Sequence, residues 1–206
     1  MLRKQLNNII YPGGIPNEKY LRYMGWSFVS TMAVSVQTAM STHSMLDAIG
    51  TDSNRTSNYI GKDIIGQLGG LVYMSKMGVK GDENPRQFMM YSNIMQQASI
   101  LGICSTPMFD ESYFLPIAGL SNTMSNISFA GYGAINAKCI QKLSSDNICE
   151  LYAKITMTNT LASTFGLTIG VMICSYMPDH QSRMLLLPVI GYIRIYSYER
   201  AIRDLI

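Results

Sequence analysis

Charge is what this 206-residue chain has least of. Lys, Arg, Asp and Glu together make up 14% of it, against roughly 25% in an average soluble domain. The net charge is only +3, and no Lys/Arg cluster concentrates it, so a nucleic-acid footprint is excluded. Histidine is nearly missing: His43 and His180 are the two present. Neither lies near Cys104, Cys139, Cys149 or Cys174, and no C-x-x-C occurs, so zinc-type spacing is absent. The four cysteines are expected to be buried, reduced thiols. Neither G-x-S-x-G nor H-E-x-x-H occurs, and the glycines of Gly61–Gly70 are not followed by the Lys-Ser/Thr of a phosphate loop. No catalytic residue, metal ligand or cofactor is therefore expected, and the chain reads as a non-enzyme. The N-terminus, Met1–Ile10, is briefly basic without the apolar stretch and cleavage site of a signal peptide.

The scarcity of charge is organised. Four runs carry none: Tyr23–Leu46, Gln87–Phe109, Ser112–Ala137 and Ile155–Pro178. Each has the length of a membrane-crossing helix, which needs about 20 mostly apolar residues. Composition fits less well than length. The first three carry many Ser and Thr, or Asn and Gln; only the fourth has a strongly apolar half, Phe165–Cys174. A second apolar block, Met184–Ile193, contains Pro188 and is short for a span of its own. A turn at Pro178–Gln181 joins the two blocks into an expected helical hairpin. Mean hydropathy is only +0.12, and sixteen Met suit irregular gaps between helices.

Helix is the expected state throughout. Tyr20, Met24, Phe28 and Met32 recur at four-residue spacing, with Asn17 as N-cap and Glu18 in the first turn. Gly50 suits the end of that helix. A second helix is expected over Ser57–Met77, with glycines at 61, 66, 69 and 70. Those cost helix propensity and predict a close neighbouring helix. Gly78–Pro85 reads as a loop, with Pro85 opening the next helix. Thr106-Pro107 ends that one. A long helix from Ser112 to Lys142 and a polar loop at Ser144–Asn147 follow. The charges Arg194, Glu199, Arg200, Arg203 and Asp204 predict a solvated last helix, and Tyr192, Tyr196 and Tyr198 are candidates for an aromatic belt. The expectation is one all-α domain over residues 1–206, a bundle of about six helices in or on a membrane.

Lys62-Asp63 is the charged pair of most interest, at the start of the Gly-rich helix. It reads either as an ion pair in a cavity or membrane, or as two surface residues facing apart, since helix neighbours do not face each other. Lys154, Lys138 and Lys142 flank uncharged runs and suit snorkelling to an interface. His43 and Asp47 stand four apart, on one helix face.

The order of several motifs resembles the Root UVB Sensitive family. Tyr11–Pro16 is similar to its Pro-rich entry, followed by Tyr20-Leu21, Tyr23 and Trp26. Lys62-Asp63-x-x-Gly66-x-Leu68-Gly69 is the best match. Asp82, Arg86 and Phe88 follow, then Ser121-Asn122, Gly133-Ala134, Ala153-Lys154 and Arg200-Ala201. The resemblance implies a helical, membrane-associated domain, and through the family a connection with UV-B responses and vitamin B6 homeostasis. It marks Lys62, Asp63 and Lys154 as ligand or ion-pair candidates, and Tyr20, Trp26, Gly66, Gly69 and Asn122 as structural. It also implies acids near Asn93 and Gln97, a Lys near Ser125 and an Arg at Asn136, where this chain is neutral; Thr158-Asn159 stands where Gln-Glu is expected. That pattern reads as a fold kept while a polar network is dropped. Membrane lipid and a protein partner, including a homo- or heterodimer, are the expected partners, and membrane the expected location. A soluble interaction module and vitamin B6-related ligand handling are the alternatives.

Overall fold

A computed structural model describes residues 17–49, 55–143, 147–177 and 179–206, the side chains of 55 and 74–80 excepted. Six α-helices and two 3-10 turns make up these residues, with no strand among them. Helix α1 is Glu18–Ala48, α2 Arg55–Glu83, α3 Pro85–Ser105, α4 Phe114–Leu143, α5 Ile148–Tyr176 and α6 His180–Ile202; the 3-10 turns, Thr106–Met108 and Glu111–Tyr113, join α3 to α4. The expected all-α bundle of about six helices is what the described residues form. The Gly50 and Ser144–Ser145–Asp146 signals lie outside the described residues.

The local start signals act as read. The Asn17 carboxamide accepts from the Lys19 and Tyr20 amides at 2.9 and 3.2 Å, which satisfies two of the orphan donors of the first turn. Pro85 sits in the first turn of α3. Asp179 caps α6 by accepting from the Ser182 amide at 2.9 Å; the Ser182 hydroxyl, and with it that amide bond, holds its carboxyl below the usual range.

The loop expected at Gly78–Pro85 does not form. Helix α2 runs on to Glu83 and only Asn84 separates it from α3. Its last turn is held from outside: Lys138 Nζ on α4 donates to the carbonyls of Gly81 and Asp82 at 3.2 and 3.1 Å and pairs with the Asp82 carboxylate at 2.9 Å. A cation on the C-terminal carbonyls substitutes for a cap.

Helix α1 runs between α5 and α6 on one side and α3 on another, while α4 packs against α2 and α3. The expected hairpin of α5 and α6 is not a packed pair, because each buries its contact face on α1 instead. Glycines let these helices approach. A Cβ on Gly170 of α5 would meet Ala39 Cβ at 2.6 Å and the Val36 carbonyl at 2.9 Å, and one on Gly66 of α2 would meet Asn122 of α4 at 2.5 Å.

The interior is unusually polar for a helical bundle. Ser27, Ser30, Ser35, Gln37, Ser41 and Ser44 of α1 are all buried, as are Ser92, Asn93 and Ser99 of α3. Large apolar side chains point outward: Ile60, Ile64, Leu68 and Leu71 along α2, Leu161, Phe165 and Met172 along α5, and Phe129 (78% exposed) and Leu185 (77%) elsewhere. A conventional apolar core exists where Tyr20, Tyr23, Met24, Ile135, Leu151 and Ile202 meet.

Candidate ligand site at Lys62

Lys62 is buried although it is charged. Its Nζ donates to Asp63 Oδ1 at 2.6 Å and lies 4.2 Å from the centre of the Tyr59 ring. Adjacent helix residues do not share a face, yet these two pair. Of the two readings, the ion pair is the one that forms. Asn122 on α4 holds both residues: its Nδ2 donates to the Lys62 carbonyl at 3.2 Å and to Asp63 Oδ1 at 2.9 Å. Gly66 makes that possible, since any side chain there would occupy the space of the Asn122 carboxamide. Gly69 gives Thr123 the same room, and Thr123 Oγ1 donates to the Ile65 carbonyl at 3.3 Å. The motif thus works as a unit: two glycines admit α4, and Asn122 fixes the charged pair.

Beside Lys62 lies a cavity of about 190 Å³. Helix α1 contributes Thr38, Ser41, Thr42 and Met45; α2 adds Tyr59 and Lys62; α3 adds Gln96, Ser99, Ile100 and Ile103; α4 adds Ser125. Among the described residues, Lys62 is the one charged side chain in that lining. Nothing local in the sequence marked these hydroxyls. They come from four helices, and only packing joins them.

Lys154 belongs elsewhere. It pairs with Glu150 Oε1 at 2.8 Å and borders an apolar groove of about 310 Å³ between α1 and α5, with Tyr20, Met24, Gly25, Phe28 and Met157. Tyr20 and Ser41, which mark the two sites, are about 30 Å apart along α1 at 1.5 Å per residue. Lys62 and Lys154 therefore do not form one site. Tyr20 is in the apolar core, and Trp26 meets Tyr196 edge-on at 5.9 Å.

The remaining polar side chains form networks that sequence reasoning only partly anticipated. His43 Nδ1 lies 2.9 Å from Asp47 Oδ2 as expected. Buried Arg183 of α6 joins them, 2.7 Å from His43 Nδ1 and 3.3 Å from Asp47 Oδ2. Arg194 is not part of a solvated end. It is buried, its guanidinium 4.7 Å from the centre of the Tyr132 ring. Tyr198 is buried too, so the expected three-tyrosine belt reduces to Tyr192 and Tyr196, stacked at 6.1 Å. Of the cysteines, Cys104, Cys139 and Cys174 are buried as expected and Cys149 is exposed. Burial pushes the Cys139 thiol up to about 12, so it stays protonated.

Four of the neutral positions noted in the sequence, Asn93, Gln97, Asn136 and Asn159, bond between helices. Asn93 accepts from the Tyr132 hydroxyl. Gln97 and Gln37 exchange bonds of 2.9 and 3.3 Å. Asn136 accepts from Tyr198 and Tyr23 at 3.0 and 3.2 Å, and Asn159 from Ser27 and Thr31, both at 3.4 Å. Uncharged side chains therefore bond between helices at these positions.

All 206 residues match one family, described as the Vitamin B6 photo-protection and homoeostasis domain. The chain belongs to the Root UVB Sensitive family. Its similarity to individual family members is low. It is 25% identical over 183 residues to Protein root UVB sensitive 4 of Arabidopsis thaliana, covering 85% of this chain and 35% of that protein. It is 27% identical over 186 residues to Protein root UVB sensitive 5 of the same plant, covering 82% and 36%. RUS family member 1 of Dictyostelium discoideum is 21% identical over 187 residues, covering 86% and 36%. The chain thus spans about a third of the length of these relatives. No solved structure matches it. Within this Root UVB Sensitive domain, the motif residues Lys62-Asp63 and Asn122 meet in space.

Proposed function

We propose that the chain is a non-enzymatic, membrane-associated Root UVB Sensitive domain that acts by binding a small ligand or a protein partner. The observation that carries this reading is the inverted distribution of polarity. A soluble bundle hides its large apolar side chains, and monomers rarely expose a wide apolar surface. Here Ser, Asn and Gln fill the helix contacts, and Ile, Leu and Phe face outward. Small residues at close helix contacts and polar groups bonded between helices are what packing in lipid favours. Helix α5 is long and apolar enough to cross a membrane, and only 22% of its apolar window is buried, unlike the core helix of a soluble protein. Its outward threonines 160, 164 and 168 each donate back to their own helix at 2.9–3.0 Å, so their hydroxyls need no water.

Alkaline carbonate treatment of membranes from expressing cells tests this reading. The chain is expected to stay with the pelleted membranes. Its release into the supernatant would overturn the embedded form and favour the soluble interaction module.

A second reading, vitamin B6-related ligand handling, is supported by the description of the matching family and by the Lys62 cavity. A vitamer carrying an aldehyde would meet a buried amine there. Titration of the folded protein with pyridoxal phosphate is expected to give saturable binding that Lys62→Met abolishes. A flat titration with the fold intact removes this reading and leaves the first standing.

A further inference from the structure

The cavity beside Lys62 differs from the outer face of α5 in how its hydrogen-bond donors are used. Hydroxyls on the outer face of α5 are satisfied by their own helix. In the cavity, Thr38 and Ser41 also donate to backbone carbonyls, both at 2.9 Å. Thr42, Gln96, Ser99 and Ser125 do not: they have no hydrogen-bond partner among the described residues. Ser99 is 1% exposed and Lys62 6%, so both lie at the floor, while Thr38, Thr42 and Tyr59 are exposed at the mouth. An ammonium has three N–H donors. One is given to Asp63 and one side faces Tyr59, which leaves donor capacity toward the cavity. No carboxylate is among the described residues that line the wall.

Here side-chain donors with no partner among the described residues converge around a cation. Such a cup is complementary to an acceptor-only group carrying negative charge. We propose that this cavity binds a small oxyanion, a carboxylate or phosphate group, between the Lys62 ammonium and the hydroxyls of Ser99 and Ser125, with Gln96 and Thr42 completing the shell. The inference rests on the small-ligand reading above and names the chemistry of that ligand. The volume of about 190 Å³ is below the 300 Å³ or so where drug-sized pockets begin, so the occupant is a compact molecule or the charged end of a larger one. Asn122 and Asp63 act as positioning residues, since they hold the lysine and do not line the cavity.

The source of the oxyanion is a free solute or a lipid headgroup, and two arms separate them. The purified full chain is titrated calorimetrically with inorganic phosphate and with acetate. In parallel, its binding to vesicles of phosphatidylcholine alone is compared with vesicles containing phosphatidic acid. Lys62→Gln is expected to weaken the responding arm by about tenfold or more, as for a lost charged hydrogen bond. The double variant Ser99→Ala, Ser125→Ala is expected to weaken it by a similar factor with the fold unchanged, and decides the matter if Lys62→Gln does not fold. Gly133→Ala, on the outer side of α4, is expected to change nothing. A response in either arm that depends on these residues supports the site and identifies its source. No saturable binding in either arm, or binding that all variants share, overturns it. Membrane retention under alkali is read separately, so loss of this site would not be mistaken for loss of the membrane reading.

Discussion

Gly166→Leu in α5 is expected to destabilise the domain by roughly 3 kcal/mol or more. A Cβ at this position falls on the Met32 carbonyl oxygen of α1, well inside contact distance, and lies 2.7 Å from Ser35 Cβ. The obstructing atom is backbone, so no rotamer change relieves it. The only escape is to push α5 off α1, its principal packing partner. That would also separate Ser35 from Ser163, now 3.0 Å apart. Gly133→Ala in α4 is the control. Nothing lies within 4 Å of a Cβ there, so the helix gains up to about 1 kcal/mol from the better helix former. Thermal unfolding of the two variants in one medium checks both signs. At about 2–4 °C per kcal/mol for a chain of this size, the leucine variant should melt roughly 6–12 °C lower. Equal melting temperatures would mean that α1 and α5 are not in the contact described.

Arg194→Met is expected to raise stability, by about 1–3 kcal/mol. The guanidinium is buried, no carboxylate among the described residues pairs with it, and its Nη1 has no hydrogen-bond partner. Its contact with the Tyr132 face is worth about 1–2 kcal/mol, less than the several kcal/mol needed to strip an ion of water. Desolvation therefore wins, and an apolar side chain of similar length does better. Asn93 supplies the diagnostic partner. Its Oδ1 accepts from Tyr132, the ring under Arg194, and its Nδ2 is a buried donor without a partner. Asn93→Asp keeps the acceptor, removes the orphan donor and adds a countercharge. It is expected to stabilise the native chain and to destabilise the Arg194→Met chain, where the new carboxylate is alone. The double-mutant cycle should show a coupling of about 2 kcal/mol or more, near the upper end for residues in one network. Asn93→Asp costing the same in both backgrounds would show that Arg194 does not sense that position.

The same two residues mark how far the sequence could be read. The resemblance implied acids near Asn93 and Gln97, and their absence was legible. Arg194, however, sits among Glu199, Arg200 and Arg203 and reads like any solvated helix end. Its burial depends on α1 and α4 closing over α6, which no local pattern encodes. The end of α2 failed for a related reason. Gly78–Pro85 has loop composition, but Lys138, more than fifty residues on, holds the last carbonyls. Asn17, Pro85 and Thr106-Pro107 were readable because a cap or a stop signal acts on its own few residues.

By itself, then, the chain determined an all-α domain, several of its helix boundaries, its family and the motif that joins Lys62-Asp63 to its glycines. These follow from short-range rules: capping, periodicity, spacing and charge density. Tertiary structure alone decided that Lys62 turns toward Asp63 and is held by Asn122, that unpartnered donors from α1, α3 and α4 share its cavity, and that Arg194 is buried without a counterion. The physical reason is the same in each case. Buried polar groups must find partners, and in this bundle many of those partners lie on another helix, 60 to 160 residues away, where chain proximity gives no hint of them.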